Sequence, residues 1–122
     1  MKPMSAYPSP SAEALREELQ QNSENDHVGH TLLFENAKVK VWHITLQPGE
    51  RIHYHRHNYD YFWTVLQDGQ GVSNQADGSQ VSFTFQKNQT SFQNIVQQGS
   101  AIHDLQNTGD QILEFITTEL KY

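Results

Sequence analysis

The stretch His53–Trp63, HYHRHNYDYFW, sets three histidines on alternate residues and follows them with aromatics around a single acid, Asp60. In an extended strand, side chains two residues apart project from one face, so His53, His55 and His57 share a side and Tyr54 and Arg56 take the other. Imidazoles so placed reach one cation together, each through a neutral nitrogen. Without a cation the arrangement is costly, because charged rings repel and buried neutral ones each need hydrogen-bond partners. A bound divalent metal removes both costs. A further ligand must come from a distant strand, and His103 in GSAIHDLQN, with apolar neighbours Ile102 and Leu105, is the candidate.

Outward from this stretch, strand signals dominate and helical periodicity is absent from about residue 31 onward. Breaks at Pro48-Gly49, Asp68-Gly69, Asp77-Gly78, Gly99 and Gly109 delimit strands over 31–35, 38–46, 51–57, 60–67, 70–75, 80–85, 90–97, 101–107 and 111–119. Many short strands at this spacing predict an all-β sandwich or barrel. Asp77-Gly78 is a two-residue hairpin signal. Along 38–46, Val39, Val41, His43 and Thr45 take one face and Trp42, Ile44 and Leu46 the other, so little solvent is expected on either side. His43 is read as lining the interior without ligating, and His27 and His30 as ordinary surface or core histidines.

The first ten residues hold three prolines and read as an irregular arm. A short helix over 11–21 follows, capped by Ser9 or Ser11, with Pro10 suited to its first turn and Leu15 and Leu19 on one face. That apolar stripe is thin, so the helix must pack on the domain or on a partner subunit. The polar run QQNSENDHVGH then separates an arm and helix, residues 1–30, from a β-domain, residues 31–122.

A chain of 122 residues fits one domain, and the absence of cysteine excludes disulfides, thiolate ligands and a thiol nucleophile. The formal charge of −6 speaks against a nucleic-acid partner. No apolar run approaches the roughly 18 residues of a membrane span, and no secretory h-region is found. A cytoplasmic protein with a small-molecule or metal ligand, and no membrane partner, is the expectation. Phe62, Trp63, Phe83, Phe85 and Phe92 read as core. Tyr59 and Tyr61, whose hydroxyls can orient a small organic ligand, are the catalytic candidates. Glu114 and Glu119 read as solvent-facing carboxylates.

With these residues in place the sequence resembles a small single-domain cupin over about residues 32–119. Cupins carry a first motif in which a glycine is followed, after five intervening residues, by His-X-His and then by a glutamate, and a second motif ending in a histidine and, after three intervening residues, an asparagine. Gly49, His55 and His57 reproduce the opening of the first, and His103 with Asn107 the end of the second. The second motif lacks its usual proline, and Gly99 lies one residue farther from His103 than the pattern has it. The resemblance implies a jelly-roll β-barrel, commonly a homodimer, holding one divalent transition metal, Zn, Fe, Ni, Cu or Mn, on His55, His57 and His103.

The acid position departs from the motif. It falls on Tyr61, itself a secondary ligand candidate, and Asp60 is the nearest carboxylate. A second register keeps His53 and His55 as ligands with Asp60 as the acid and leaves His57 spare, but only three residues then separate Gly49 from the first ligand. The His55/His57 register is preferred. Under simple alternation Asp60 faces away from the histidines and Tyr61 toward them. The resemblance leaves two functions open: a metal-dependent dioxygenase, isomerase or lyase acting on a small molecule, or a non-catalytic cupin that binds or senses one, with or without metal.

Overall fold

The computed structural model describes residues 10–122. A helix, α1 (Ala12–Gln21), precedes nine strands: β1 (Thr31–Glu35), β2 (Val39–Leu46), β3 (Arg51–His57), β4 (Asp60–Val65), β5 (Gly69–Asn74), β6 (Gln80–Phe85), β7 (Thr90–Gln93), β8 (Ala101–Asn107) and β9 (Leu113–Leu120). They form two antiparallel sheets, one in the order β1-β2-β9-β4-β7 and one in the order β3-β8-β5-β6. Among the described residues hydrogen bonding does not close the two sheets into one continuous barrel. Among the described residues no helix is long and apolar enough to cross a membrane.

Alternation along the central strands builds the core. On β9 Leu113, Phe115, Thr117 and Glu119 are buried while the residues between them are half-buried, and on β2 Trp42, Ile44 and Leu46 do the same. Leu46, Val65 and Leu113 are completely buried and pack with Ile44, Ile52, Phe85 and Phe115. Burying each such side chain is worth roughly 1.5–3 kcal/mol. Aromatic rings complete the interior: Phe85 stands edge-on to both Trp63 (5.5 Å between centroids) and Phe115 (5.0 Å) and stacks on Phe83 at 5.0 Å. Such pairs add to the area they bury because ring edges and faces carry opposite partial charge.

Several expectations are corrected. The strand expected over 90–97 stops at Gln93, and the chain turns into a short 3-10 segment, Val96–Gln98. Phe92, expected in the core, is half-exposed on this edge strand. The β5–β6 connection is not a two-residue turn: Gln75 pairs with Ser79 around a three-residue loop, with Gly78 at φ 90°. A glycine at positive φ in the last loop position is the usual way for a three-residue hairpin to close. His43 does not line the interior. Its Nε2 lies 2.6 Å from Glu114 on the neighbouring strand, at the half-buried surface.

The helix is capped by Ser11, whose hydroxyl accepts from the Ala14 N–H, so Pro10 precedes the cap instead of sitting in the first turn. Ser9 lies outside the described residues. Leu15 and Leu19 are only half-buried, and no residue of α1 is fully buried. The helix is held instead by Glu18, described below. After it, Val28 is wholly buried, and the backbone runs so close to β2 that a Cβ on Gly29 would stand 2.5 Å from Trp42 Cβ. Glycine is what lets this segment seat Val28 in the interior.

Candidate metal centre

β3 and β8 are antiparallel neighbours, with Ile52 opposite Leu105 and His55 opposite His103. Three residues of β3 therefore span two of β8, which is a β-bulge at His53-Tyr54. The extra residue changes the facing of the strand. Ile52 is needed in the core, and strict alternation from it would turn His55 and His57 outward. With the bulge, Ile52, His55 and His57 all point inward, and His53 is displaced to the surface with 67% of its side chain exposed. The expectation that His53 shares the face of the other two is thus corrected by a single inserted residue.

His55, His57 and His103 converge, each offering a ring nitrogen within 4.8 Å of the others. Their ring centroids are 4.8–4.9 Å apart, and His57 Nε2 lies 3.0 Å from His103 Nε2. His55 Nδ1 is 2.8 Å from the His53 carbonyl, an acceptor, so Nδ1 carries the proton and Nε2 is left with a free lone pair. His57 Nδ1 is buried with no hydrogen-bond partner. Burial is the largest influence on all three rings. It drives His55 down to about 3 and His103 down to about 4, and it holds His57 well below the ordinary histidine value, with His55 and His103 adding to the effect. At neutral pH all three are uncharged, the state in which imidazole ligates.

The remaining candidates are distributed differently. Tyr61, at the acid position of the motif, is buried and stacks on His57 with the rings 3.8 Å apart and 8° from parallel. Burial and then the charge of Glu119 raise its phenol, so it stays protonated as a potential donor. Asp60 is turned away and has a structural task. One carboxylate oxygen accepts the N–H groups of Ile95 and Val96, and the other accepts the Tyr122 hydroxyl. This is why the chain leaves β7 early. Those bonds, that of Val96 first, hold the Asp60 carboxyl below its usual range. Tyr59 is half-buried in the turn between β3 and β4 and does not line the cavity next to the histidines.

Asp104, Arg51 and Glu18, all close to the site, escape a reading by local pattern. Asp104, completely buried beside His103, accepts from Arg51 Nε at 2.6 Å and from the Asn74 backbone and side chain. It thereby ties β8 to β3 and β5. Arg51 in turn donates both terminal nitrogens to Glu18 of α1, and Glu18 also accepts the Tyr54 N–H and meets His53 Nδ1 at 2.7 Å. Burial alone would raise the Glu18 carboxyl, but Arg51 and the other donors outweigh it and hold it at about 2. Glu119 is also buried, contrary to expectation. It accepts the Trp42 indole N–H at 2.8 Å, sits directly across the ladder from Tyr61, and is raised by burial. Glu114 is half-buried in its pair with His43. Asn107, which ends the second motif, is fully buried and donates to the Leu46 and Gln111 carbonyls, closing the loop before β9.

Beside the imidazoles lies a cavity of ≈ 70 Å³. Its walls are mostly the aromatic and aliphatic core, with Tyr61, Ser73, Asp104 and Thr117 among its polar members. Three neutral, buried imidazoles facing one another, one with its outer nitrogen fixed by a carbonyl, form a donor set compatible with a divalent metal.

No protein-family model and no curated protein sequence matches the chain. Solved structures do. A cupin domain from Bordetella pertussis Tohama I aligns with a TM-score of 0.67 at 21% identity, over 81% of this chain and 97% of that one. A conserved protein with a double-stranded beta-helix domain from Klebsiella pneumoniae aligns at 0.60 and 18%, over 99% and 89%. A cupin family protein with a double-stranded beta-helix fold from Methanocaldococcus jannaschii aligns at 0.59 and 19%, over 80% and 86%. The likeness is one of fold: the chain has an all-β fold of the cupin type.

Proposed function

We propose that this cupin-type domain holds one divalent transition metal on His55, His57 and His103 and uses it to bind a small organic molecule in the adjoining cavity. The observation that carries the reading is the convergence of three buried, neutral imidazoles from two strands, with the tautomer of His55 set by the His53 carbonyl. Buried rings whose charge is suppressed by burial contribute little to stability, and His57 Nδ1 goes without a partner.

Three imidazoles and no carboxylate leave the full double charge of the cation uncompensated by its ligands. When bound, such a metal supplies Lewis-acid polarisation of a ligand oxygen at positions the protein leaves open. The chain's own residues do the rest. Tyr61, kept protonated by burial, stands beside His57 as a hydroxyl donor for a bound ligand. The apolar wall excludes water, and Asp104 with Arg51 holds β8 and β3 in register behind the histidines. The homodimer that the resemblance implies belongs to the same proposal. It is supported by edge strand β1, which leaves Leu32, Leu33 and Phe34 about half-exposed, and sedimentation velocity tests it.

Metal analysis after reconstitution tests the centre. About one equivalent is expected for the wild type, a sharp loss for His103→Ala, and no change for His53→Ala, whose ring points at Glu18. Less than about 0.2 equivalents of any of Zn, Fe, Ni, Cu or Mn in the wild type ends the metal reading. Equal losses from the two variants would restore the alternative register.

A further inference from the structure

The cavity that meets the three histidines is walled by Ile44, Trp63, Phe83, Phe85, Leu105 and Phe115, from both sheets. Its few polar members are mostly engaged. Asp104 is saturated by Arg51 and Asn74, and the Ser73 hydroxyl donates to the Asp104 carbonyl while accepting from Gln75. Among the described residues no lysine or arginine lines the cavity. The positive charge available to a ligand is therefore confined to the imidazole end, where a cation would sit beside the Tyr61 hydroxyl, and the wall beyond it is mostly hydrocarbon, interrupted by Thr117.

From this asymmetry we infer that the ligand is a small monoanion, a carboxylate or enolate, whose charged oxygen lies at the histidine end and whose body is compact and unhydroxylated. The inference rests on the metal reading for the head of the molecule and on the cavity alone for its body. Size follows from the volume. A cavity of ≈ 70 Å³, at roughly 10–15 Å³ for each water-sized group, is room for a body of about five to seven heavy atoms. Sugars are disfavoured because a wall with only the Tyr61 and Thr117 hydroxyls to spare leaves most of their hydroxyls without water and without a partner. Phosphates are disfavoured because their second charge meets no cationic side chain.

Two acids of equal size separate these terms. Valerate and 4-hydroxybutyrate share a carboxylate and a heavy-atom count and differ in having a methyl or a hydroxyl at the far end. On zinc-loaded protein, isothermal titration should find valerate tighter by about tenfold or more, the cost of burying an unpaired hydroxyl. NMR should show contacts from its terminal methyl to the rings of Phe85 or Phe115. Equal affinities, a preference for the hydroxy acid, or a bound valerate without those contacts would overturn the inference.

A metal-free arm keeps the two readings apart. Benzene, whose ring has six heavy atoms, offered to the chelated protein should show contacts to the same rings, because a dry apolar cavity takes up a small hydrocarbon without a charged head. If the protein takes up no metal and benzene still binds there, the metal reading falls and the apolar body stands. If benzene does not bind, the cavity reading falls whatever the metal does.

Discussion

His57 is the most tightly placed of the three imidazoles. Its Nε2 faces His103 at 3.0 Å, its ring lies flat on Tyr61, and its Nδ1 has no partner. Asp60, three residues along, illustrates how a neighbouring carboxylate is excluded from the site. Both of its oxygens are committed, one to the N–H groups that start the 3-10 segment and one to Tyr122. Asp60→Ala is therefore expected to lower the melting temperature, freeing Ile95 and Val96, and to leave metal equivalents at the wild-type value. Loss of metal in that variant would show that the acid belongs to the centre after all. At this scale the converging histidines are legible in the sequence because imidazoles crowded on one strand repel when charged and lack partners when buried, and because His103 and Asn107 repeat the spacing of the second motif. Glu119 is legible too, since Leu113, Phe115 and Thr117 set the inward phase of β9 and Glu119 continues it. Its charge, taken before its phase, points wrongly to solvent.

At the scale of elements, the bulge in β3 and the docking of α1 depend on contacts that no local pattern announces. The bulge follows only once Ile52 is known to be core, a fact about the opposite strand and the other sheet. Helix α1 is legible from its cap and spacing, but its anchor is not the leucine pair that its spacing suggests. Glu18 carries that function across 33 residues of sequence, through both terminal nitrogens of Arg51, the Tyr54 N–H and His53. Breaking one side of a fully buried ion pair costs about 3–5 kcal/mol. Glu18 keeps 17% of its side-chain surface exposed, and solvent screening reduces the cost for Glu18→Ala to about 2 kcal/mol. Urea denaturation should report that loss, and amide exchange should rise over Ala12–Gln21 before the strands. The pH dependence has a definite sign. Because the folded carboxyl is held at about 2, against 4.5 when free, its contribution is complete above about 4.5 and is lost as the pH falls through 2. Acid should therefore release the helix in that window, and Glu18→Ala, already lacking the contact, should show a weaker dependence there. An unchanged acid profile in the variant would mean that α1 is held by something else.

For the molecule as a whole, the centre joins strands that are distant in sequence: His57 and His103 are separated by 46 residues and meet only when β3 and β8 are paired. A cation that ligates all three rings therefore binds the folded chain and not the unfolded one, and its binding free energy is added to folding. No deprotonation opposes it at neutral pH, since burial already keeps the rings uncharged. At a free metal concentration one hundred times Kd the gain is about 2.7 kcal/mol. For a domain of this length each kcal/mol moves the midpoint by about 3–5 °C, so metal should raise the melting temperature by about 10 °C. The same addition should do almost nothing to His57→Ala, which lacks one of the three ligands, and should raise His53→Ala as much as the wild type. Calorimetric scans of the chelated and metal-loaded forms of all three proteins would decide it. A rise of equal size in His57→Ala would place the cation elsewhere on the surface and leave the buried histidines without the task assigned to them.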